Sequence, residues 1–253
     1  MSFADYVTNI GFRFIKPHHC VPLPGSFYFR RLEKLAKTGS PGWPERFGAW
    51  FERVNTLLPE EDAAMKERLR DVCLIPKMST LAVGALINRG VAEMQTGRAF
   101  VNVGVWFGFT FFSGILGNPD KKCVGVDNFS EFGGPRESFL RRFDEYKSAD
   151  HRFYDTNYIE YFRHVHQGAI GFYIYDGSHD YENQLRGLEV AEPYFSDGCI
   201  VLVDDTNWEE PRQATLDFIA RSRLDYRILL DLRTNYNCHP TVWNGIMVFQ
   251  RNA

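Results

Sequence analysis

Acidic residues end two apolar runs in the second half of the chain. The run FYIYDGSHDY contains Asp176 and His179, and the run CIVLVDDTNW contains Asp204 and Asp205, with a helix-length interval between the two runs. If both runs are strands of an open α/β sheet, their carboxyl ends meet at one crevice, which is where such sheets bind ligands. Carboxylate oxygens suit hard cations such as Mg²⁺, and without a cation neighbouring carboxylates raise one another's pKa. We therefore predict that the three aspartates hold a divalent cation.

A second interpretation of these residues stays open. Asp204 or Asp205 could cap the following helix, and Asp176 could stabilise an Asp-Gly turn. Successive strand residues point to opposite faces, so Asp204 and Asp205 share an ion only if the strand ends between them. Histidine is a common general base, so His179 could accept a proton from a hydroxyl group, or it could only orient the loop through a hydrogen bond.

The elements that would position these side chains alternate from about residue 99 onward, which is typical of a parallel sheet covered on both faces. The predicted strands are AFVNVG, KCVGVD, HRFY, GFYIYD, CIVLVD, DYRILLDL and WNGIMVFQ. The predicted helices span residues 107–116, 135–148, 158–166, 181–194 and 208–223. Only the short polar loop RTNYNCHPT joins the last two strands, which is too short for a parallel crossover. The last strand should therefore run antiparallel, at or near the sheet edge.

The first part of the chain lacks this alternation. Five prolines interrupt residues 17–44, and helical patterns follow in ERFGAWFERVNTLL, EEDAAMKERLRDVC and STLAVGALINRGVAEM. We predict a helical extension over residues 1–75 and a sheet domain over residues 76–253. The extension could cover the crevice or form a homo-oligomer interface.

A glycine turn, Gly104-Val105-Trp106-Phe107-Gly108, follows the first predicted strand. A dinucleotide fingerprint needs glycine where this turn has Trp106, and the chain has no Walker motif, so NAD, FAD and nucleoside triphosphates are disfavoured. The second predicted strand ends at Asp127, near the usual place for a carboxylate that binds a ribose diol. The alternative is a tight strand-to-helix turn with an acidic strand end and no ligand.

Together, VNVGVWFG, VGVDNFSEFGGP and YIYDGSHDYENQLRGLEVAEPYFSDGCIVLVDD resemble the class I S-adenosylmethionine-dependent methyltransferases. The likeness is to the branch of macrocin-type sugar O-methyltransferases and, more distantly, to catechol O-methyltransferase-like enzymes. It covers roughly residues 76 to 250. The resemblance implies an α/β fold, a doubly wound Rossmann-like sheet, with S-adenosylmethionine and Mg²⁺ as cofactors.

The resemblance also assigns residues to the cofactor. The cofactor-binding set it implies is Asn102, Gly104, Trp106, Gly108, Asp127, Asp155, Thr156 and Asp176. The glycine turn would lie beside the methionine portion, Asp127 would bind the ribose, and Asp155 with Thr156 would meet the adenine. The family usually has Glu or Asp where this chain has Asn102, which lacks the charge that favours the cofactor's ammonium group.

The implied activity is methyl transfer to a hydroxyl group of a sugar or a glycosylated small molecule, assisted by a divalent cation. Asp176 and His179 would be the catalytic residues, with His179 removing the proton. Two alternatives remain: an inactive methyltransferase-like binding domain, and a metal-dependent hydrolase or hydroxylase that uses the same aspartates.

Composition restricts the partners. The chain has 253 residues and a formal net charge of −3, without the basic field that nucleic acid binding requires. The five cysteines are widely spaced, with no CxxC pair, and we interpret them as reduced and mostly buried. No stretch has the length and hydropathy of a membrane span. We expect a cytoplasmic protein with a small-molecule substrate, without a nucleic acid or membrane partner.

Overall fold

The computed structural model describes residues 1–20, 25–59 and 62–252, with the backbone alone for residues 25–29. Its helices are α1 (Phe3–Asn9), α2 (Gly25–Thr38), α3 (Trp43–Asn55), α4 (Ala63–Arg68), α5 (Leu81–Glu93), α6 (Phe109–Ile115), α7 (Arg136–Tyr146), α8 (Tyr158–His164), α9 (Tyr181–Ala191) and α10 (Glu209–Arg221). Short 3₁₀ helices lie at Val72–Leu74 and Glu192–Tyr194. In the described part of the chain, no helix is long and apolar enough to cross a membrane.

Two short strands, β1 (Gly11–Phe12) and β2 (Thr56–Leu57), pair with each other near the N-terminus. The main sheet contains β3 (Ala99–Val103), β4 (Lys122–Asp127), β5 (His151–Asp155), β6 (Ile170–Tyr175), β7 (Phe195–Asp204), β8 (Tyr226–Leu232) and β9 (Ile246–Arg251). Its strand order is β5-β4-β3-β6-β7-β9-β8.

The pairing confirms the predicted α/β fold class. The first five strands of the main sheet pair in parallel, while β9 is antiparallel to both β7 and β8. The last strand is therefore antiparallel as predicted, second from the edge, with β8 outside it. The short connection between β8 and β9 explains this order, because only an antiparallel neighbour can follow such a loop.

Apolar layers cover both faces of the sheet. Along β6, Phe172 and Ile174 join the layer that also contains buried residues of α5, α6 and α7. Tyr173 and Tyr175 join the opposite layer, which contains buried residues of α8, α9 and α10. All six residues of β6 are buried, as expected for a central parallel strand.

The N-terminal segments pack against the sheet domain. Helix α1 contacts α5 and β8, and its buried residues Phe3, Tyr6 and Val7 join the same apolar layer as α5. The pairing of β1 with β2 was not predicted. Helices α3 and α5 match the first and last predicted helical patterns. The middle pattern, EEDAAMKERLRDVC, forms α4 and the 3₁₀ helix at Val72–Leu74, and its first two residues lie outside the described residues. The division of the chain at residue 75 stays a prediction.

An ion pair with little solvent exposure joins α3 to the segment before α5. The Lys77 Nζ atom lies 2.6 Å from Glu52 Oε1, and the two side chains are 10% and 12% exposed. Lys77 also donates to the carbonyl of Ser79, and Glu52 Oε2 accepts from the backbone N–H of Leu81. This network fixes the extension to the start of the sheet domain.

We expect Lys77→Met to lower the free energy of unfolding by about 3 kcal/mol, because the change leaves the Glu52 carboxylate without its counter-charge. Urea denaturation measures the loss. Arg163→Met is the control, since the pair of Arg163 with Glu160 is exposed and should contribute less than about 1 kcal/mol. Equal losses in the two variants would contradict the anchoring role of Lys77.

Candidate active site

A cavity of about 300 Å³ lies at the carboxyl ends of β3, β4, β6 and β7. This is the crevice predicted from the two acidic strand ends. Its wall consists of the turn after β3, the loop after β4, the segments after β5, β6 and β7, and residues 76–79 before α5. The volume lies at the lower end of the range for small-molecule sites.

The turn after β3 depends on glycine at two places. Gly104 has a φ of +79°, and a Cβ atom there would lie 1.8 Å from the backbone oxygen of Asp176. Gly108, at the N-cap of α6, has a φ of +103°, and its Cβ would lie 2.1 Å from the ring of Phe112. Gly104 lines the cavity, whereas Gly108 packs against its own helix. The close approach at Gly104 brings the ends of β3 and β6 together.

Asp127, at the end of β4, holds two of the loops in the cavity wall. Its Oδ2 accepts hydrogen bonds from the backbone N–H groups of Val105 and Trp106, at 2.9 and 2.8 Å, and its Oδ1 accepts one from Phe129 at 2.7 Å. A carboxylate offers about four acceptor positions, so capacity remains for hydroxyl groups of a ligand. The side chain is thus fixed in place and still able to bind a diol.

Asn102 lies under the turn and is fully buried. Its amide Nδ2 donates to the backbone carbonyls of Val103 and Gly104, while its Oδ1 is buried without a hydrogen-bond partner. The side chain supports the turn from below and does not belong to the described cavity wall. Its predicted contact with a cofactor ammonium group stays a prediction.

Of the two residues predicted to meet the adenine, only Thr156 lies at the cavity. Thr156 lines the cavity, and its backbone N–H donates to the carbonyl of Asp127 at 3.1 Å. The carboxylate of Asp155 forms an ion pair with Arg136 and lies outside the described cavity wall. Tyr158, which follows Thr156 by two residues, also lines the cavity. The segment after β5 therefore faces the cavity through Thr156 and Tyr158.

Three carboxylates meet at the inner end of the cavity. Asp176 follows β6, and β7 ends at Asp204, so the chain leaves the strand before Asp205, whose φ is +58°. All three line the cavity. Burial and then repulsion between the carboxylates raise the pKa of Asp176 and Asp204 well above the ordinary value. Burial also raises the pKa of Asp205, against the favourable charge of His179.

The ring of His179 lies between two of these carboxylates. Its Nε2 atom is 3.2 Å from Asp205 Oδ2 and 3.7 Å from Asp176 Oδ1. The ring packs edge-on against Trp208 at a centroid distance of 5.6 Å, and Nδ1 is buried without a hydrogen-bond partner. Because Nε2 faces the aspartates, this arrangement favours the loop-orienting role, and the role of general base stays a prediction.

The spacing of these side chains and the chemistry of their oxygens give different answers on whether they fit a metal ion. In the parts of the chain that the structure describes, no three His, Cys, Asp or Glu side chains stand at ligand spacing. Carboxylate oxygens do suit a hard cation. Asp204 Oδ1 is buried without a hydrogen-bond partner, and burial and then repulsion by the Asp205 carboxylate raise the pKa of Asp204. Side-chain rotation would be needed to bring the three carboxylates around one ion.

The sequence did not indicate several cavity residues. Lys77 comes from the segment before α5 and belongs to no quoted motif. Asn183, in the first turn of α9, lies within the run that carries the family resemblance but has no predicted role. Asn244 lines the cavity from the connection between β8 and β9, and its side chain accepts from the backbone N–H of Cys238 at 2.7 Å. The predicted last strand, WNGIMVFQ, includes Asn244, whereas β9 begins at Ile246 and leaves Asn244 in the connection.

Left-handed backbone is concentrated at the cavity. Six described residues other than glycine have positive φ, and four of them line the cavity: Trp106, Phe129, Phe132 and Asp205. Each such conformation costs of order 1–3 kcal/mol and persists only where the surroundings enforce it. The rigid Asp127 network is one source of that constraint, since it fixes the backbone N–H groups of Trp106 and Phe129.

We expect Asp204→Asn to raise the free energy of unfolding by about 1–3 kcal/mol at pH 7.5 in a chelator, because a neutral amide avoids the cost of either ionising or protonating this buried carboxyl group. The raised pKa of Asp204 also predicts how stability depends on pH. Above about pH 4, the ordinary aspartate range, the folded protein binds more protons than the unfolded chain, so the contribution of Asp204 to wild-type stability falls as the pH rises. Urea melts at pH 5.5 and 7.5 measure both effects. A gain that does not shrink at the lower pH would contradict this account.

Comparisons with known proteins bear on residues 101–206 and on the fold. Residues 101–206 match the family model described as a methyltransferase domain. None of the curated protein sequences compared with the chain matches it significantly.

Three solved structures have the same fold. A proposed caffeoyl-CoA O-methyltransferase from Staphylococcus aureus is 10% identical, with a TM-score of 0.54 over 76% of this chain and 94% of that one. A proposed O-methyltransferase from Klebsiella pneumoniae is 14% identical, with a TM-score of 0.51 over 90% of this chain and 99% of that one. A proposed methyltransferase complexed with S-adenosylhomocysteine is 9% identical, with a TM-score of 0.50 over 66% of this chain and 48% of that one.

The sheet order and the cavity at the strand ends define a Rossmann-like α/β protein with the fold of class I methyltransferases. Within that class, residues 101–206 fit the methyltransferase domain model, which spans β3 to the end of β7 and includes the glycine turn, Asp127 and all three cavity aspartates.

Proposed function

We propose that the protein is an S-adenosylmethionine-dependent O-methyltransferase. The observation that carries the proposal is the position of Asp127, which ends β4 at the cavity and is fixed by three backbone N–H groups beside the Gly104 turn. The match of residues 101–206 to the methyltransferase domain model supports it, as does the bound S-adenosylhomocysteine in one structural neighbour.

The cofactor would lie across the carboxyl ends of β3 and β4. Asp127 would accept hydrogen bonds from the ribose hydroxyls, Gly104 and Trp106 would border the methionine portion, and Thr156 would border the adenine. S-adenosylmethionine supplies an activated methyl group, so the protein has to position the acceptor oxygen and favour loss of its proton. Asp176 lies next to Gly104 and reaches the same region from β6.

We further propose that Asp176, Asp204 and Asp205 hold a divalent cation. Such an ion, Mg²⁺ for example, would supply positive charge beside the acceptor oxygen. Their burial and mutual repulsion support this assignment, because a cation would relieve the repulsion between three carboxylates. His179 would orient Asp205 and Asp176, and it is also the nearest candidate for the proton acceptor.

The acceptor is proposed to be a hydroxyl group of a sugar or a glycosylated small molecule. Trp106, Phe132 and Trp208 line the cavity, and Phe132 and Trp208 are 60% and 41% exposed. Exposed aromatic faces beside a polar cavity suit the mixed apolar and hydroxylated faces of a sugar ring.

Asn102 favours one alternative, a methyltransferase-like domain that binds a ligand without turnover. Its neutral, buried amide supplies no charge to a cofactor ammonium group. A metal-dependent hydrolase or hydroxylase is the other alternative, since it would use the same aspartates and need no S-adenosylmethionine.

Calorimetric titration with S-adenosylmethionine and S-adenosylhomocysteine, with and without Mg²⁺, tests the proposal. We expect both compounds to bind, and we expect one member of a panel of glycosylated acceptors to be methylated on a hydroxyl oxygen, with S-adenosylmethionine converted to S-adenosylhomocysteine. Binding without turnover on any acceptor would support the inactive domain. Mg²⁺ binding with no affinity for either compound would overturn the methyltransferase proposal.

A further inference from the structure

The described wall of the cavity carries more negative than positive charge. Five carboxylates line it: Asp127, Glu131, Asp176, Asp204 and Asp205. In the same described wall Lys77 is the one Lys or Arg, and its ammonium group pairs at 2.6 Å with Glu52, which lies outside the wall. A cleft lined by one sign of charge attracts ligands of the opposite sign. The cavity therefore favours cationic ligands.

The two cofactors proposed above would offset only part of this charge. A divalent cation together with S-adenosylmethionine, which has one net positive charge, would balance three of the five carboxylates. A charged His179, between Asp205 and Asp176, would balance one more. Negative charge therefore remains in the cavity for the methyl acceptor.

Glu131 is the one exposed carboxylate of the five. It lies in the loop after β4, and its carboxylate forms no ion pair or hydrogen bond with any other residue that the structure describes. Arg136, at the start of α7, pairs with Asp155 instead. The loop is held against the turn after β3, because the indole Nε1 of Trp106 donates to the carbonyl of Phe132 at 3.2 Å. Glu131 is therefore a free carboxylate in a positioned loop.

Aromatic side chains accompany this carboxylate in the wall. Phe132 follows Glu131 in the chain, and both Phe132 and Trp208 line the cavity with exposed side chains. The faces of aromatic rings attract cations, and tryptophan does so most strongly. A carboxylate together with aromatic rings suits an amine cation, whereas the stacking of a neutral sugar needs the rings alone.

A buried hydroxyl group in the wall also lacks a partner. Ser79 lines the cavity and is 3% exposed, and its Oγ atom forms no hydrogen bond with the residues that the structure describes. A buried polar atom of this kind is costly to leave unpaired, so it favours a ligand that offers hydrogen bonds. Protonated amines and hydroxyl groups both supply donors.

We propose that the methyl acceptor is an amino sugar, in which a protonated amine accompanies the hydroxyl groups, and that Glu131 binds this amine. The inference rests on the proposed methyltransferase function and narrows its class of acceptor. The methyl group still moves to a hydroxyl oxygen: the C–O bond forms, the sulfonium S–C bond breaks, the hydroxyl proton is released, and S-adenosylhomocysteine remains.

Calorimetric titration tests the inference on the full chain, saturated with S-adenosylhomocysteine in the presence of Mg²⁺. The probes are the methyl glycosides of glucosamine, glucose and glucuronic acid at about pH 6.5, where the amine is protonated. The glucosamine compound should bind at least about tenfold more tightly than the glucose compound, and the glucuronic acid compound should bind most weakly. High ionic strength should reduce these differences.

Glu131→Gln should weaken binding of the glucosamine compound about fivefold and change binding of the glucose compound less than about twofold. Glu137→Gln is the matched control, because it removes an exposed carboxylate of α7 that does not line the cavity. The control should bind both compounds like wild type, and thermal melts check that each variant is folded.

Titration of wild type with S-adenosylhomocysteine alone separates this inference from the proposed function. Failure of that compound to bind would overturn both. If it binds while the glucosamine compound binds no better than the glucose compound, or does not bind detectably, the amino-sugar acceptor is overturned and the methyltransferase proposal stands. Unchanged binding of the glucosamine compound by Glu131→Gln would overturn the role of Glu131.

Discussion

Asp127→Ala is expected to reduce the affinity for S-adenosylhomocysteine by at least about 100-fold, which corresponds to about 2.7 kcal/mol. Two losses combine in this variant. The ribose hydroxyls lose a charged acceptor, and the backbone N–H groups of Val105, Trp106 and Phe129 lose the carboxylate that fixes them. Isothermal titration calorimetry measures the change in Kd directly.

Asp155→Ala provides the matched control for this experiment. Asp155 ends the neighbouring strand β5, and its carboxylate pairs with Arg136 outside the described cavity wall. It should bind S-adenosylhomocysteine within about threefold of wild type, the change expected when an exposed ion pair is lost. Equal losses in the two variants, or unchanged binding by Asp127→Ala, would contradict the assigned cofactor site.

Gly104→Ala is expected to lower the free energy of unfolding by more than about 4 kcal/mol, a loss that few single substitutions cause. The added Cβ would lie 1.8 Å from the backbone oxygen of Asp176, so the turn after β3 or the end of β6 must move. The residue also has a φ of +79°, which alanine adopts only at a cost of about 1–2 kcal/mol. Chemical denaturation and the yield of folded protein measure the effect.

Gly97→Ala is the control that separates the steric clash of the new Cβ atom from the cost of a positive φ. Gly97 has nearly the same φ, +84°, but no atom lies within 4 Å of the position its Cβ would take. This control should lose only the conformational cost of about 1–2 kcal/mol. If Gly104→Ala were no less stable than Gly97→Ala, the close approach between the ends of β3 and β6 would not limit this turn.

Much of the sheet could be predicted from local patterns. The runs that became β3, β6 and β7 are apolar because central parallel strands are buried on both faces, and β4 is buried at three of its six residues. The acidic residues at their ends, Asp127, Asp176 and Asp204, indicated the side of the sheet on which the cavity lies. The polar loop before β9 indicated its antiparallel direction. These features depend on residues close together in the chain.

Other features depend on contacts between distant parts of the chain and could not be predicted. The two-residue strands β1 and β2 exist only because residues 11–12 meet residues 56–57. Lys77 and Asn244 reach the cavity from segments that are far from the glycine turn in sequence. The partner of Asp155, Arg136, comes from a different element, α7, and no local pattern indicated that ion pair.

The left-handed residues around the cavity also bear on how the protein would respond to selection for heat resistance. The ring of Phe129 packs against Phe139 and Phe153, so its loss would cost more than the backbone strain it relieves. Glycine adopts positive φ without strain, so replacement of the exposed Phe132 by glycine relieves a local cost of order 1–3 kcal/mol. The same change removes an aromatic wall of the cavity. Thermostability and ligand recognition are therefore opposed at Phe132, and variants selected for stability alone would lose recognition there first.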